Sequence, residues 1–248
     1  MNGEMSQICR IVVSAKLALK DNTPIVFTPA MYEKSIVFQH ADWGQTACRT
    51  DTVAAWFAEC RRRGLVDAQF LTPVKLQDRS LLAFVNTVPN ALTCYYSNGR
   101  VTRFFADWRY CEYQQGWDIT YSESIWETPP QKPRFPDNTE TFVRVLNAIE
   151  ELAHRLEFDN FAHLFRKAAL AATGVFVAEP KIPIHLPEKN YRLFLAADAA
   201  SVFGGMGSWN DSPPYVAQEM NLGKEYEQLS AALRTQLTLA VLYAVNEW

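Results

Sequence analysis

Leu92-Thr93-Cys94-Tyr95-Tyr96-Ser97-Asn98-Gly99-Arg100-Val101-Thr102-Arg103-Phe104-Phe105-Ala106-Asp107-Trp108-Arg109-Tyr110 decides the fold class. Strand-forming residues run into Asn98-Gly99 and out again. Asn-Gly between two such runs is a strong hairpin signal, because both residues tolerate the positive φ of a tight turn. On the return strand a period of two puts Phe104, Ala106, Trp108 and Tyr110 on one face. Arg103, Asp107 and Arg109 fall on the other. One face then belongs to the core and the other meets water, as in an antiparallel sheet covered on one side.

Working outward, residues 81–88 form a near-continuous apolar run and read as a central strand buried on both faces. Residues 114–117 turn the chain again, and Ile119 and Tyr121 alternate with Thr120 and Ser122. Residues 24–38 are mixed, with two short apolar runs, Ile25-Val26-Phe27 and Ile36-Val37-Phe38. Helical stripes flank the strands. Residues 5–19 carry Ile8, Ile11, Val12, Ala15 and Leu19. Thr50-Asp51 can cap a helix that ends at Arg61-Arg62-Arg63 and stops at Gly64. Residues 128–136 hold four of the 13 prolines and form a stiff connector. After it, residues 139–173 read as a helix pair joined by a short turn, with Gly174 as the stop. Residues 196–203 form a short Ala-rich helix and residues 223–247 a terminal one, while residues 175–186 supply short extended pieces. The expected fold is α+β: an antiparallel β-meander of four to five strands, within about residues 66–124, packed against helices. Residues 1–248 are expected to form a single domain. Its connector near 128–136 separates a helix/sheet N-terminal lobe from a helical C-terminal lobe.

Composition excludes several function classes. The 248 residues are 48% hydrophobic and 21% charged, so the chain can bury a core. A net charge of −3, from 24 basic and 27 acidic residues, argues against a dedicated nucleic-acid binder. All of that surplus lies after residue 128. Residues 80–99 are uncharged, but Asn86, Pro89, Asn90, Asn98 and Gly99 break them into strands and turns, so no membrane span is expected. The N-terminus has an acid where a signal peptide carries basic residues. Five widely spaced cysteines include no C-x-x-C pair and suit a reducing cytosol. The expectation is a cytoplasmic protein without a cofactor. Glu151-x-x-His154 has metal-ligand spacing but no second copy, so no metal is expected.

The most distinctive string is Phe203-Gly204-Gly205-Met206-Gly207-Ser208-Trp209-Asn210-Asp211. Three of the ten glycines fall within four positions. Such a loop can present backbone N–H groups to an anion. It lacks the Lys-Ser/Thr ending of a P-loop, does not match G-x-G-x-x-G, and Ser208 is not in a nucleophile elbow. Gly204, Gly205, Gly207, Ser208, Trp209, Asn210 and Asp211 are therefore binding candidates, against a reading in which Trp209 anchors the loop and Asn210 or Asp211 bonds its backbone. No Ser/His/Asp or Cys/His triad can be assembled from four scattered His and five Cys, so no catalytic residue is expected.

Two stretches carry a resemblance. One runs from Tyr95-Tyr96-Ser97-Asn98-Gly99-Arg100-Val101-Thr102-Arg103-Phe104 through Trp108, Ser122 and Trp126. It continues through Pro133-Arg134-Phe135 and Asp137-Asn138-Thr139-Glu140 to Asn160-Phe161-Ala162. The other is Val202-Phe203-Gly204-Gly205-Met206-Gly207-Ser208-Trp209-Asn210-Asp211. Together, over residues 92–211, they resemble a family of uncharacterised bacterial cytosolic proteins, members of which are found as immunity proteins of polymorphic toxin systems. The resemblance implies a non-enzymatic binding protein that neutralises a cognate toxin domain, and it carries over no catalytic residue. The alternative is a small-ligand-binding protein or enzyme centred on residues 204–211.

Overall fold

The computed structural model describes residues 1–42, 48–75, 78–175 and 183–248, with the backbone alone for Ser80. The chain forms two compact units. A sheet unit comprises Gly3–Thr72 and Val88–Pro133. A helical unit comprises Met1–Asn2, Pro73–Thr87 and Arg134–Trp248. The last boundary falls inside the proline-rich stretch, and the excursion at Pro73–Thr87 belongs with the helices.

The sheet unit begins with α1 (Gly3–Asp21), then β1 (Glu33–Gln39), β2 (Arg49–Thr50), α2 (Val53–Arg62), β3 (Leu65–Leu71), β4 (Ala91–Tyr96), β5 (Val101–Cys111) and β6 (Gly116–Ile125). The six strands lie in the order β2-β1-β6-β5-β4-β3. β3 to β6 form the expected antiparallel meander, with Asn98-Gly99 at the β4–β5 turn and Gly99 at φ +81°. The sheet as a whole is mixed, however, because β1 joins parallel to β6 and carries β2 on its far edge. The fold is thus α+β, but not a pure antiparallel meander of four to five strands. β1 has only Ile36, Val37 and Phe38 as its apolar run. Its strand form comes from pairing with β6 rather than from its own pattern.

Residues 81–88 are not the expected central strand. Arg79–Ala83 is a 3-10 turn, and Phe84 is half exposed. The backbone there is satisfied by side chains instead of a ladder. Thr87 Oγ1 donates to Leu81 O and Phe84 O, Asn2 Nδ2 donates to Leu82 O and Phe84 O, and Asn86 takes φ +60°.

α1 and α2 cover one face of the sheet. Trp56 of α2 stacks on Phe38 at 5.1 Å and meets Phe104 edge-on at 6.0 Å, while Phe38 stacks on Tyr121 at 4.9 Å. These four rings join α2, β1, β5 and β6. α1 is buried almost all round, so its polar residues need partners. Glu4, Gln7 and Arg10 lie about one turn apart. Each has a partner: Asn90 donates to Glu4, Tyr121 OH donates to Gln7 at 2.7 Å, and Arg10 pairs with Glu33 and Thr28 O, while Gln7 Nε2 and Arg10 Nε have none among the described residues. Thr52 caps α2 by accepting from the Ala55 amide. Gly64 closes it at φ +90°, where an added Cβ would sit 2.6 Å from Ser97 Oγ.

The helical unit holds α3 (Thr139–Arg155), α4 (Asp159–Thr173), α5 (Glu188–Ala199), α6 (Pro213–Glu219) and α7 (Gly223–Asn246). α3 and α4 pack as the expected pair, turned at Glu157 (φ +62°) and ended at Gly174. α5 starts earlier than its Ala-rich signal, because Leu193, Phe194 and Leu195 are buried too. It ends before Val202. Of the extended pieces expected at 175–186, residues 176–182 lie outside the described residues, and residues 183–187 have no regular structure.

Trp56→Ala should cost about 3–5 kcal/mol, as large cavities do. Phe84→Ala should cost below about 1 kcal/mol, since half the ring is in water. Urea midpoints of the two variants check the contrast. Equal losses would mean that residues 81–88 are core after all.

Candidate functional site

The glycine loop lies between α5 and α6. Asn210 sits at its centre: its Oδ1 accepts from the Gly204 amide at 2.9 Å and from Ser208 Oγ at 3.1 Å, and its Nδ2 donates to Gly204 O at 2.8 Å. Asp211 Oδ2 accepts from the Gly207 amide at 2.8 Å, and Gly207 takes φ +77°. Two amides that could have faced an anion are therefore engaged inside the loop, and Asp211 places a carboxylate beside one of them. Gly205 is exposed at the tip next to Met206, which is 97% exposed.

Trp209 explains the loop. It is wholly buried between Phe161, Phe165 and Tyr226, with ring centroids 5.3–5.4 Å away. Its Nε1 donates to Ser230 Oγ at 2.9 Å, and its carbonyl accepts from Tyr226 OH at 2.6 Å. Bringing that indole inward requires a chain reversal on either side, which the glycines and Asn210 provide. The seven candidate residues come together, but as a rigid buckle around one anchor. Glu151 and His154 do not pair. His154 Nδ1 turns instead to Asp159 Oδ1 at 2.7 Å, across the α3–α4 turn. Among the described residues, no group of three His, Cys, Asp or Glu could hold a metal ion. No described helix is long and apolar enough to cross a membrane.

The sequence reading missed a second polar cluster, in the sheet unit. Glu123 occupies a core register of β6, two residues beyond Tyr121, and its side chain is fully buried. Oε2 accepts from the Ala41 amide at 2.8 Å and from Arg63 Nη1 at 3.2 Å. Arg63 also donates to Glu59 at 2.6 Å and to Cys48 Sγ at 3.5 Å. His40, equally buried, bonds Thr50 Oγ1 through Nε2 at 3.2 Å and places Nδ1 3.8 Å from Glu123 Oε2. Among the described residues, His40 Nδ1 and Glu123 Oε1 have no hydrogen-bond partner. Burial first, and the charge of Arg63 second, push the imidazole down to about 4. At neutral pH it is uncharged, so its contact with Glu123 is not an ion pair. Burial also raises the Glu123 carboxyl, against the Ala41 amide and the Arg63 charge. With His40 and Glu123 both closed to solvent, this cluster ties β1, β2 and α2 to β6 and does not meet a substrate. One signal was legible: an acid in an otherwise apolar face of Ile119, Tyr121 and Ile125.

A third feature is exposed. At the β5–β6 tip, residues 112–115 present Tyr113 with 96% of its surface in water, and Tyr110 beside it is 55% exposed. The tip is stiff. Trp117 packs edge-on against Tyr110 at 5.4 Å and Trp108 at 5.8 Å. The Trp117 amide donates to Tyr32 O at 2.7 Å, which holds the neighbouring turn and its exposed Met31 alongside. No protein-family model, curated protein or solved structure matches the chain.

The depressed His40 value has a consequence for stability. The unfolded imidazole takes a proton near 6.5 and the folded one only near 4. Stability from this group is therefore complete above about pH 6.5 and is lost as pH falls towards 4, by up to about 3 kcal/mol. The raised Glu123 carboxyl opposes this trend. His40→Gln should flatten the fall in urea midpoint between pH 7 and pH 5. A variant with the parent's slope would remove His40 as its source.

Proposed function

We propose that this chain is a non-enzymatic binding protein that engages a partner protein through the β5–β6 tip. The carrying observation is the water-exposed group of Tyr110, Tyr113 and Met31, in which Tyr110 packs on Trp117. Tyrosine and methionine are enriched in interfaces, and anchors held in place before binding lose little entropy when they dock. The resemblance of residues 92–211 to a family of uncharacterised bacterial proteins, members of which are found as immunity proteins, suggests the class of partner: a toxin domain whose working surface the protein covers.

Charge supports the same reading. In the helical unit most described acids are engaged, such as Asp137 with Lys189, Glu225 with Arg155 and Glu227 with Arg79. Glu140, Glu150 and Glu151 on α3, and Glu157 just after it, enter no ion pair among the described residues. They leave an acidic surplus on that helix suited to steering a basic partner. The five cysteines, all free, suit action in the cytosol. The ligand-binding alternative at residues 204–211 draws less support, because Asn210 and Asp211 already occupy the amides it needs.

The test is co-expression with the product of the neighbouring gene. Growth rescue and a copurifying complex are expected, and Tyr113→Ala with Tyr110→Ala should weaken that complex about tenfold or more without changing the melting temperature by more than a few degrees. Absence of both rescue and complex would end the immunity reading. A complex indifferent to both variants would move the interface away from the tip.

A further inference from the structure

Asn-Gly occurs twice in the chain, at Asn2-Gly3 and at Asn98-Gly99, and the fold treats the two pairs in opposite ways. The pair is chemically labile. Glycine has no Cβ, so its amide nitrogen lies open to the side-chain carbonyl carbon of the asparagine before it.

At Asn2 the side chain is fixed. Nδ2 donates to Leu82 O at 3.0 Å and to Phe84 O at 3.1 Å, so the nitrogen that would have to leave is held twice. Gly3 is the first residue of α1 and is packed. An added Cβ there would lie 3.4 Å from the Trp108 ring and 3.7 Å from the Tyr32 ring.

Asn98-Gly99 is the reverse. Both residues are exposed at the β4–β5 turn, and a Cβ on Gly99 would meet nothing within 4 Å. Asn98 Oδ1 accepts from the Arg100 amide at 3.0 Å. That bond, to the residue two positions on, folds the side chain back over the Asn98–Gly99 peptide and brings Cγ towards the Gly99 nitrogen. It also sets an N–H donor at the oxygen where negative charge gathers when that nitrogen attacks. No hydrogen bond holds Nδ2 among the described residues. The Gly99 amide proton is shared with Tyr96 O at 3.0 Å, in an exposed turn that opens to water without unfolding the sheet.

We infer that Asn98 is a site of spontaneous deamidation in the folded protein, and that the fold protects Asn2 from the same reaction. Hydroxide takes the Gly99 amide proton, and the nitrogen attacks Asn98 Cγ. The Cγ–Nδ2 bond breaks, and ammonia leaves with a proton from water. Water then opens the resulting succinimide at either carbonyl, giving aspartate or isoaspartate. In the isoaspartate product the main chain runs through the former side chain and is one methylene longer, which breaks the register of the Gly99–Tyr96 turn bond. The site lies at the other end of β5 from Tyr110 and does not rest on the partner proposed for the tip.

The test incubates the whole folded protein in mildly alkaline buffer and maps its peptides by mass spectrometry. Replacement of NH2 by OH should accumulate at Asn98 and not at Asn2. The intact product should accept methyl groups from S-adenosylmethionine through an isoaspartyl methyltransferase, which Asn98→Asp should not. In urea the two asparagines should react at similar rates. The isoaspartyl fraction, separated by chromatography, should melt below Asn98→Asp, which has the same charge and an ordinary main chain. Reaction at Asn2 as fast as at Asn98 in the folded protein, an undiminished difference between them in urea, a product without isoaspartate, or an isoaspartyl fraction that melts with Asn98→Asp would each overturn the inference.

Discussion

A carboxylate in a core register of β6 sets the terms for the sheet unit. Glu123 cannot stay charged beside Tyr121 and the ring cluster without a cation, and Arg63 answers it from the end of α2. That pairing fixes several other choices. Arg63 must turn inward, so α2 has to end there, and Gly64 must reverse the chain into β3 at positive φ. Glu59, one turn earlier, takes a second prong of Arg63, and the Arg62 and Arg63 donors hold its carboxyl down to about 2. Ala41 lends its amide, which brings the end of β1 onto β6. Removing Arg63 would leave Glu123 buried without its cation, typically at a cost of about 3–5 kcal/mol, whereas Arg63 would keep Glu59 if Glu123 were removed.

The helical unit is organised by an apolar anchor instead. Trp209 fills the space between α4 and α7, and the chain around it is shaped to deliver the indole inward and still satisfy the backbone. The two units thus solve burial in opposite ways. One buries a charged network around the Glu123–Arg63 pair. The other buries a large ring and gives its single polar atom one hydroxyl partner, Ser230.

What was legible in the sequence followed from whether local chemistry decided the outcome. Asn98-Gly99 and the α3 stripe are local signals, and both elements formed where expected. β1 was not legible as a sheet member, because only pairing with β6 makes a strand of three apolar residues between polar ones. Residues 81–88 misled because an apolar run speaks of burial, not of hydrogen-bond geometry. There Thr87, Asn86 and Asn2 satisfy or turn the backbone as no ladder would. At the sites, the clustered glycines did mark an unusual backbone, although its cause was Trp209. His40, Cys48, Arg63 and Glu123 stayed hidden, because no linear spacing links residues that only a sheet and a helix end bring together.

The parallel seam between β1 and β6 bears on how the molecule is made. Ser35 and Asp118, which bond across it, are 83 residues apart. During synthesis β1 emerges long before its partner exists, while β4 to β6 can zip together through short turns as each appears, with β3 joining across the excursion at residues 72–90. Closing so long a loop is entropically expensive and is rewarded only once the ladder forms. The seam therefore closes a far longer loop than the meander's turns do, and until it closes Phe38 lacks the Tyr121 ring it stacks on. A nascent chain stalled before residue 116 would carry an unfinished apolar edge, making translation speed through β5 and β6 a determinant of how much protein escapes aggregation.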